Sequence, residues 1–328
     1  MNIHCTLACG IYDRTHALQT GMIQAEGLDV TYLGLPVEEI FWRQLRYEEF
    51  DVAEMSLSSY LIAKDRGRPD FIAIPVFPSR FFRHSSIFVN RDAGIERPRD
   101  LIGKRLGVPE YQMTAALWVR GILADEYGVR PNDCWWYSGG EEEAGREEKL
   151  PIQVPGVDIK PIARHQTLSA MLLDGEIDAL VSARIPSTFY HASGRVGRLF
   201  SAFQAVEEAY FAKTKIFPIM HTIVLKRAFY ETYPWTAQSL FKAFVASKQF
   251  AEHNLQQPAA LAVMDPWFLA GLERTQKLMG DDYWPYGIRA NRLALETAIA
   301  YSHRQGLISR LLTVEELFAP NCGQAFVV

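Results

Sequence analysis

The chain has 328 residues, 48% of them hydrophobic and 22% charged, a composition that fits a folded protein of roughly two domains with ample core. A formal net charge of −4 and a pI near 6.1 offer nothing to a phosphate backbone, so nucleic acid is set aside as a partner. No apolar run approaches the ~20 residues a bilayer requires, so no membrane partner is expected either.

In chain order, IHCTLACGI predicts a first strand, with a helix following over residues 15–25. The stretch TLACG loosely resembles a lipoprotein cleavage site. The residues before Cys9, however, lack a basic start and an apolar stretch of ~7–15 residues, so a strand explains them better and a cytoplasmic protein is expected. Cys5 and Cys9 then read as small buried hydrophobes on one strand face. Neither they nor Cys134 and Cys322 form a C-x-x-C pair, and no His/Cys spacing suggests zinc.

LDVTYLGL predicts the second strand, with a helix over Glu38 to Arg46. FDVAEMS predicts a third, running into a helix at Ser58 to Asp65. FIAIPVF and SSIFVN bracket PSRFFRH. Next come a strand at Arg105 to Val108, a turn at Pro109 to Gln112 and a helix from Thr114 to Tyr127 that Gly128 ends. Residues 139–149, GGEEEAGREEK, read as a solvated loop, the usual fate of a run of like charges. A helix carrying Leu168, Met171 and Leu172 on one face, ended by Gly175, leads into a strand at Ile177 to Val181. FPIMHTIVLKRAF gives another strand, and the text from Trp235 is mostly helical, interrupted by WPYG at 284–287.

Strands alternating with helices predict an α/β protein with mostly parallel sheets. The order suggests two lobes: residues 1–90 with 222–328, and residues 91–221 between them. The chain would cross twice, allowing hinge closure over a ligand in the cleft between lobes.

Ligands of open α/β sheets bind beyond the carboxyl ends of the strands. Those ends carry Asp13, Arg14 and His16; Glu54, Ser56 and Ser58; Arg80, Arg83 and His84; Glu110 and Tyr111; Ser182 and Arg184. Arginines and hydroxyls together suit a small, multiply anionic ligand, because Arg grips a carboxylate with two parallel hydrogen bonds. Each residue has an ordinary alternative. Asp13, Thr15, Ser56 or Ser58 can cap a helix, and Glu110 can answer a helix dipole. Arg80 and Arg83 can lie on a solvated turn. His16, His84 and His221 can be core or rim histidines, and Trp284 and Tyr286 packing aromatics.

The motifs YDRTHAL, FRHSSIFVN, DLIGKRLGVPEYQMTAALWVRGILADEYGV, GEIDALVSARIPS and DDYWPYGIRANRLALE together resemble the 4,5-dihydroxyphthalate decarboxylase family, from the first strand to about Phe318. The resemblance implies a type 2 periplasmic-binding-protein-like fold retained in the cytoplasm, and conversion of 4,5-dihydroxyphthalate to protocatechuate and carbon dioxide in phthalate breakdown. Such chemistry needs cations for two carboxylates, an acceptor at the catechol and a proton donor beside the departing carboxylate. Donor candidates are Glu110, His16, His84 and His221. Asp13, Arg14, Ser56, Arg80, Arg83, Tyr111, Ser182, Arg184 and Trp284 are expected to bind substrate. No redox cofactor is required and no metal ligand set is visible, although the catechol oxygens could themselves chelate a divalent metal.

The competing readings are a solute-binding protein that captures an aromatic carboxylate without chemistry, and a decarboxylase of a different aromatic acid. Amphipathic helices in the C-terminal half leave room for a homo-oligomer face.

Overall fold

A computed structural model describes residues 2–67, 70–146, 148, 150, 152–191 and 194–322. The chain divides into two units: Met1–Arg80, His221–Glu296 and Leu312–Val328 form the first, and Phe81–Met220 with Thr297–Leu311 the second.

The first unit is built on a five-stranded sheet. Its strands are β1 (Ile3–Cys9), β2 (Leu28–Gly34), β3 (Val52–Ser56), β4 (Phe71–Ile74) and a last strand, His221–Lys226, in the order β2-β1-β3-last-β4. β1 runs parallel to both β2 and β3, and its buried Cys5, Leu7 and Cys9 join Val52, Ile223 and Phe244 in one core. Each such buried aliphatic or aromatic side chain contributes about 1.5–3 kcal/mol. The stretch TLACG is therefore the end of a central strand.

The helix expected over residues 15–25 is shorter and earlier, Asp13–Gln19, because Gly21 takes a left-handed φ of 77° and stops it. It is tied to the long helix Thr236–Leu255 by a 3.2 Å hydrogen bond from Leu18 N–H to Ser247 Oγ. The last strand runs antiparallel to β3 with His221 opposite Ser56, which delivers its first residue to the carboxyl end of β3.

The second unit holds a six-stranded mixed sheet. In chain order its strands are β5 (Ile87–Asn90), β6 (Arg105–Val108), β7 (Trp135–Ser138), β8 (Ile159–Pro161), β9 (Ala179–Val181) and β10 (Val196–Arg198), arranged β10-β5-β9-β6-β7-β8. We call the last strand of the first unit β11. The helix Thr114–Tyr127 ends at Gly128 (φ 71°), and Leu168–Asp174 ends at Gly175 (φ 74°). Both glycines adopt the left-handed cap that the sequence signalled.

Two features differ from the sequence reading. β5 pairs with β9 and β10, so residues 81–90 belong to the second unit and the boundary falls at Arg80. Residues 297–311 also belong there, since Gln305 accepts from Arg120 Nε at 2.8 Å and Tyr301 packs edge-on to Trp118. The chain thus passes between units four times rather than twice. No helix among the described residues is long and apolar enough to cross a membrane.

Candidate active site

At the carboxyl ends of β1 and β3 the first unit gathers a carboxylate, an imidazole, a phenol and a thiol. Glu54 in β3 has no exposed surface. Its Oε2 accepts from Gly10 N–H at 2.8 Å and from the Cys9 thiol at 3.3 Å. Its Oε1 accepts from the Tyr12 hydroxyl at 2.7 Å and lies 2.6 Å from His221 Nδ1. Burial alone would push this carboxyl up, but His221 first, then Gly10 and Tyr12, hold it below the usual carboxylate range, so it is ionised at neutral pH. Burial, then the Glu54 charge, push the Cys9 thiol and the Tyr12 phenol well up, keeping both neutral. The His221 ring is 15% exposed and meets Phe41 edge-to-face at 4.8 Å.

Arg14 stands beside this group. Its guanidinium is sandwiched between the rings of Tyr12 at 4.2 Å and Trp284 at 4.3 Å. Nε donates to the Pro78 carbonyl at 2.6 Å and Nη1 to Asp13 Oδ1 at 2.9 Å, which leaves Nη2 without a hydrogen bond among the described residues. Asp13 also accepts from Arg14 N–H at 2.7 Å, whereas Thr15 donates to the Tyr12 carbonyl at 3.3 Å and caps nothing. Trp284 is held by its indole N–H on the Phe77 carbonyl at 2.9 Å. Ser56 occupies the N-cap position of the helix Leu57–Asp65 without a side-chain cap bond. His16 is exposed on the first helix, away from any of these contacts.

Arg80 lies in the first unit. It is buried, and its Nη2 donates to the Pro285 carbonyl at 2.9 Å and to Asn291 Oδ1, pinning the WPYG segment to the first unit. Burial pulls this guanidinium down to about 9.

In the second unit the turn after β6 places Glu110, 2% exposed, between Arg146 Nη2 at 3.2 Å and Gln112 Nε2 at 2.9 Å. Ser182, at the end of β9, donates to Glu141 Oε2 at 2.5 Å and accepts from Arg184 N–H at 3.0 Å. Burial raises Glu141 above the usual carboxylate range. The Arg184 side chain is exposed.

Tyr111, Arg83 and His84 are each buried among other side chains. Tyr111 is fully buried, with the Arg120 guanidinium 3.7 Å above its ring and Trp136 edge-on at 5.3 Å. Arg83 is buried against Met220 Sδ at 3.1 Å and Ser86 Oγ at 3.3 Å. His84 sits among Phe200, Tyr210 and Tyr127 at 5.2, 5.3 and 6.3 Å, with neither ring nitrogen hydrogen-bonded among the described residues.

Burial pulls the His84 imidazole down to about 4, against 6.5 in an unfolded chain. The unfolded state therefore binds the proton more readily. Stability is full above pH 6.5 and falls as pH drops from 6.5 towards 4, by up to about 3 kcal/mol. Denaturant titrations of His84→Leu at pH 7.5 and 5 should show a smaller loss of stability on acidification than the parent shows.

Two functional candidates lay in the charged stretch read as solvated, since Glu141 is 7% exposed and Arg146 reaches Glu110. Residues 147 and 149 lie outside the described residues. Tyr12, missed at the sequence level, was legible only as an aromatic immediately before a helix start. Among the described residues no group of three or more His, Cys, Asp or Glu side chains is arranged to hold a metal ion.

Comparison with known proteins gives a consistent picture. A family model described as "ABC transporter, phosphonate, periplasmic substrate-binding protein" matches residues 11–181. The chain is 40% identical over 327 residues to a 4,5-dihydroxyphthalate decarboxylase of Comamonas testosteroni, covering 99% of each chain. It is 43% identical over 199 residues to one of Pseudomonas putida, covering 60% of this chain and 77% of that one. Among solved structures, the putative periplasmic sulfonate-binding protein SsuA of Methylobacillus flagellatus KT superposes with a TM-score of 0.57 at 14% identity, over 98% of this chain and 92% of that one. That likeness establishes the periplasmic-binding-protein-like fold.

Proposed function

The chain belongs to the 4,5-dihydroxyphthalate decarboxylase family, and we propose that it removes one carboxylate of 4,5-dihydroxyphthalate as carbon dioxide, leaving protocatechuate, with His221 as proton donor and Arg14 as anchor of the retained carboxylate. One observation carries the assignment of residues. The Tyr12 side chain touches the Arg14 cation with its ring and the Glu54–His221 pair with its hydroxyl, at adjacent strand ends of one sheet. A cation for a carboxylate and a group able to carry a proton are thus linked through one tyrosine, the first by its ring and the second through its hydroxyl's bond to Glu54.

The chemistry balances with those parts. The hydroxyl para to the departing carboxylate yields its proton to solvent, the acceptor at the catechol end, and pushes an electron pair into the ring. The ring carbon bearing that carboxylate takes a proton from His221 Nε2, and a C–H bond forms. The C–C bond then breaks, its electron pair restores the aromatic ring, and carbon dioxide leaves. The oxygen regains its proton and solvent reprotonates the imidazole. No electron is gained or lost overall, which makes the activity that of a carbon–carbon lyase working without a redox cofactor. A cytoplasmic placement accompanies this reading.

Purified protein mixed with 4,5-dihydroxyphthalate should release carbon dioxide and protocatechuate in equal amounts. Tight binding without release would favour the solute-binding alternative. Arg14→Met should raise KM roughly thirtyfold, the loss of one charge-assisted contact of about 2 kcal/mol, with kcat little altered. An unchanged KM would remove Arg14 from the anchoring role.

A further inference from the structure

We propose that Glu54 is the positioning residue of this reaction: its carboxylate fixes the His221 imidazole with Nδ1–H turned inward and Nε2 presented to the substrate. The inference rests on the reading of His221 as proton donor.

A carboxylate in the middle of a sheet is costly to bury, and is kept only where donors replace water. Glu54 has them, and they divide by oxygen. Oε2 holds the scaffold, taking Gly10 N–H and the Cys9 thiol where β1 ends. Oε1 holds two side chains, Tyr12 and His221. A purely structural carboxylate at this point would need only the first pair. The second pair does what the third group of a nucleophile–base–orienter arrangement does: it sets the tautomer of an imidazole and stabilises its charged form. Phe41, edge-to-face with the ring at 4.8 Å, limits its rotation from the other side.

The division predicts an unusual property for Glu54→Gln. The amide oxygen must face Gly10 N–H, since two N–H groups cannot share that position. The amide nitrogen then faces Tyr12 and His221, where it donates to Nδ1 rather than accepting from it. The scaffold bond survives while the polarity towards the imidazole is reversed.

The expected result is a fall in kcat of roughly 10²- to 10⁴-fold with KM within a few-fold and the thermal midpoint little changed. The other titratable groups facing this pair are Cys9, Tyr12 and Tyr32, all pushed upwards chiefly by burial, with the Arg14 guanidinium over the Tyr12 ring. Tyr12→Phe, which removes one donor to Oε1, should lower kcat several-fold.

A Glu54→Gln variant that keeps the parental kcat overturns the proposal. So does one in which kcat, KM and thermal midpoint collapse together, since that marks a structural role. A measurement on the parent protein needs no variant: ¹⁵N spectra of histidine-labelled protein should show the neutral His221 ring with Nδ1 protonated and Nε2 bare. The opposite tautomer sinks the inference. Parental turnover in His221→Asn would instead end the reading on which it rests, whatever the tautomer observed.

Discussion

His221→Asn should lower kcat about a thousandfold, equivalent to about 4 kcal/mol of transition-state stabilisation, while KM stays within a few-fold. Asparagine retains a polar group of similar reach and can still donate to Glu54 Oε1, so the buried carboxylate keeps a partner and the strand ends keep their geometry. What it loses is a ring nitrogen that can give up and regain a proton. Because the imidazole is 15% exposed and its other neighbour is the Phe41 ring, the substitution leaves no large cavity. Steady-state kinetics with 4,5-dihydroxyphthalate, alongside a thermal midpoint, separate the two effects. A loss of less than tenfold would move the donor role to the second unit, where Glu110 and the burial-raised Glu141 stand at strand ends.

The sequence places Glu54 at a strand end and offers His221 as a donor candidate, but does not pair them. Their contact exists because β11 enters antiparallel to β3 with His221 opposite Ser56, a register between segments 167 residues apart that no local pattern encodes. Local signals did well where a single residue type decides the backbone. Gly128 and Gly175 ended their helices as expected, and β6 spans Arg105–Val108 as read. They did poorly where tertiary contacts decide. β8 and β10 are three-residue strands whose existence depends on the neighbours they extend.

The arginines show the same limit from the side of chemistry. Arg80 and Arg83 flank two phenylalanines in PSRFFRH, and sequence alone cannot tell a ligand-facing guanidinium from one that pins a distant segment. Arg80 finds Asn291 and the Pro285 carbonyl, more than two hundred positions along the chain. Arg83 settles against Met220 and Ser86. Arg14 has its faces taken by aromatic rings and its Nε and Nη1 by Pro78 and Asp13, which leaves Nη2 open among the described residues. The charged run at 139–149 misled for a related reason. Residues 142–146 are exposed, as like charges usually are, but Ser182 draws Glu141 out of water and Glu110 engages the exposed Arg146.

Gly121→Leu should cost the second unit about 4 kcal/mol, and even Gly121→Ala should be destabilising. Helix propensity argues the other way, since alanine is about 1 kcal/mol better than glycine inside a helix. Gly121 lies in the helix Thr114–Tyr127 and has no positive φ, so its backbone conformation does not require glycine. The requirement is space: a Cβ there would stand 2.1 Å from Tyr301 Cδ2. Tyr301 cannot easily withdraw, being 3% exposed and edge-on to Trp118 at 5.4 Å. The glycine thus admits the tyrosine ring of residues 297–311 against the helix that follows the Glu110 turn. Denaturant titration of a double-mutant cycle tests this account directly. In a Tyr301→Leu background the Gly121→Ala change should lose its penalty and become neutral or stabilising, because only propensity then remains. An equal penalty in both backgrounds would show that contact with the tyrosine ring is not what holds position 121 to glycine.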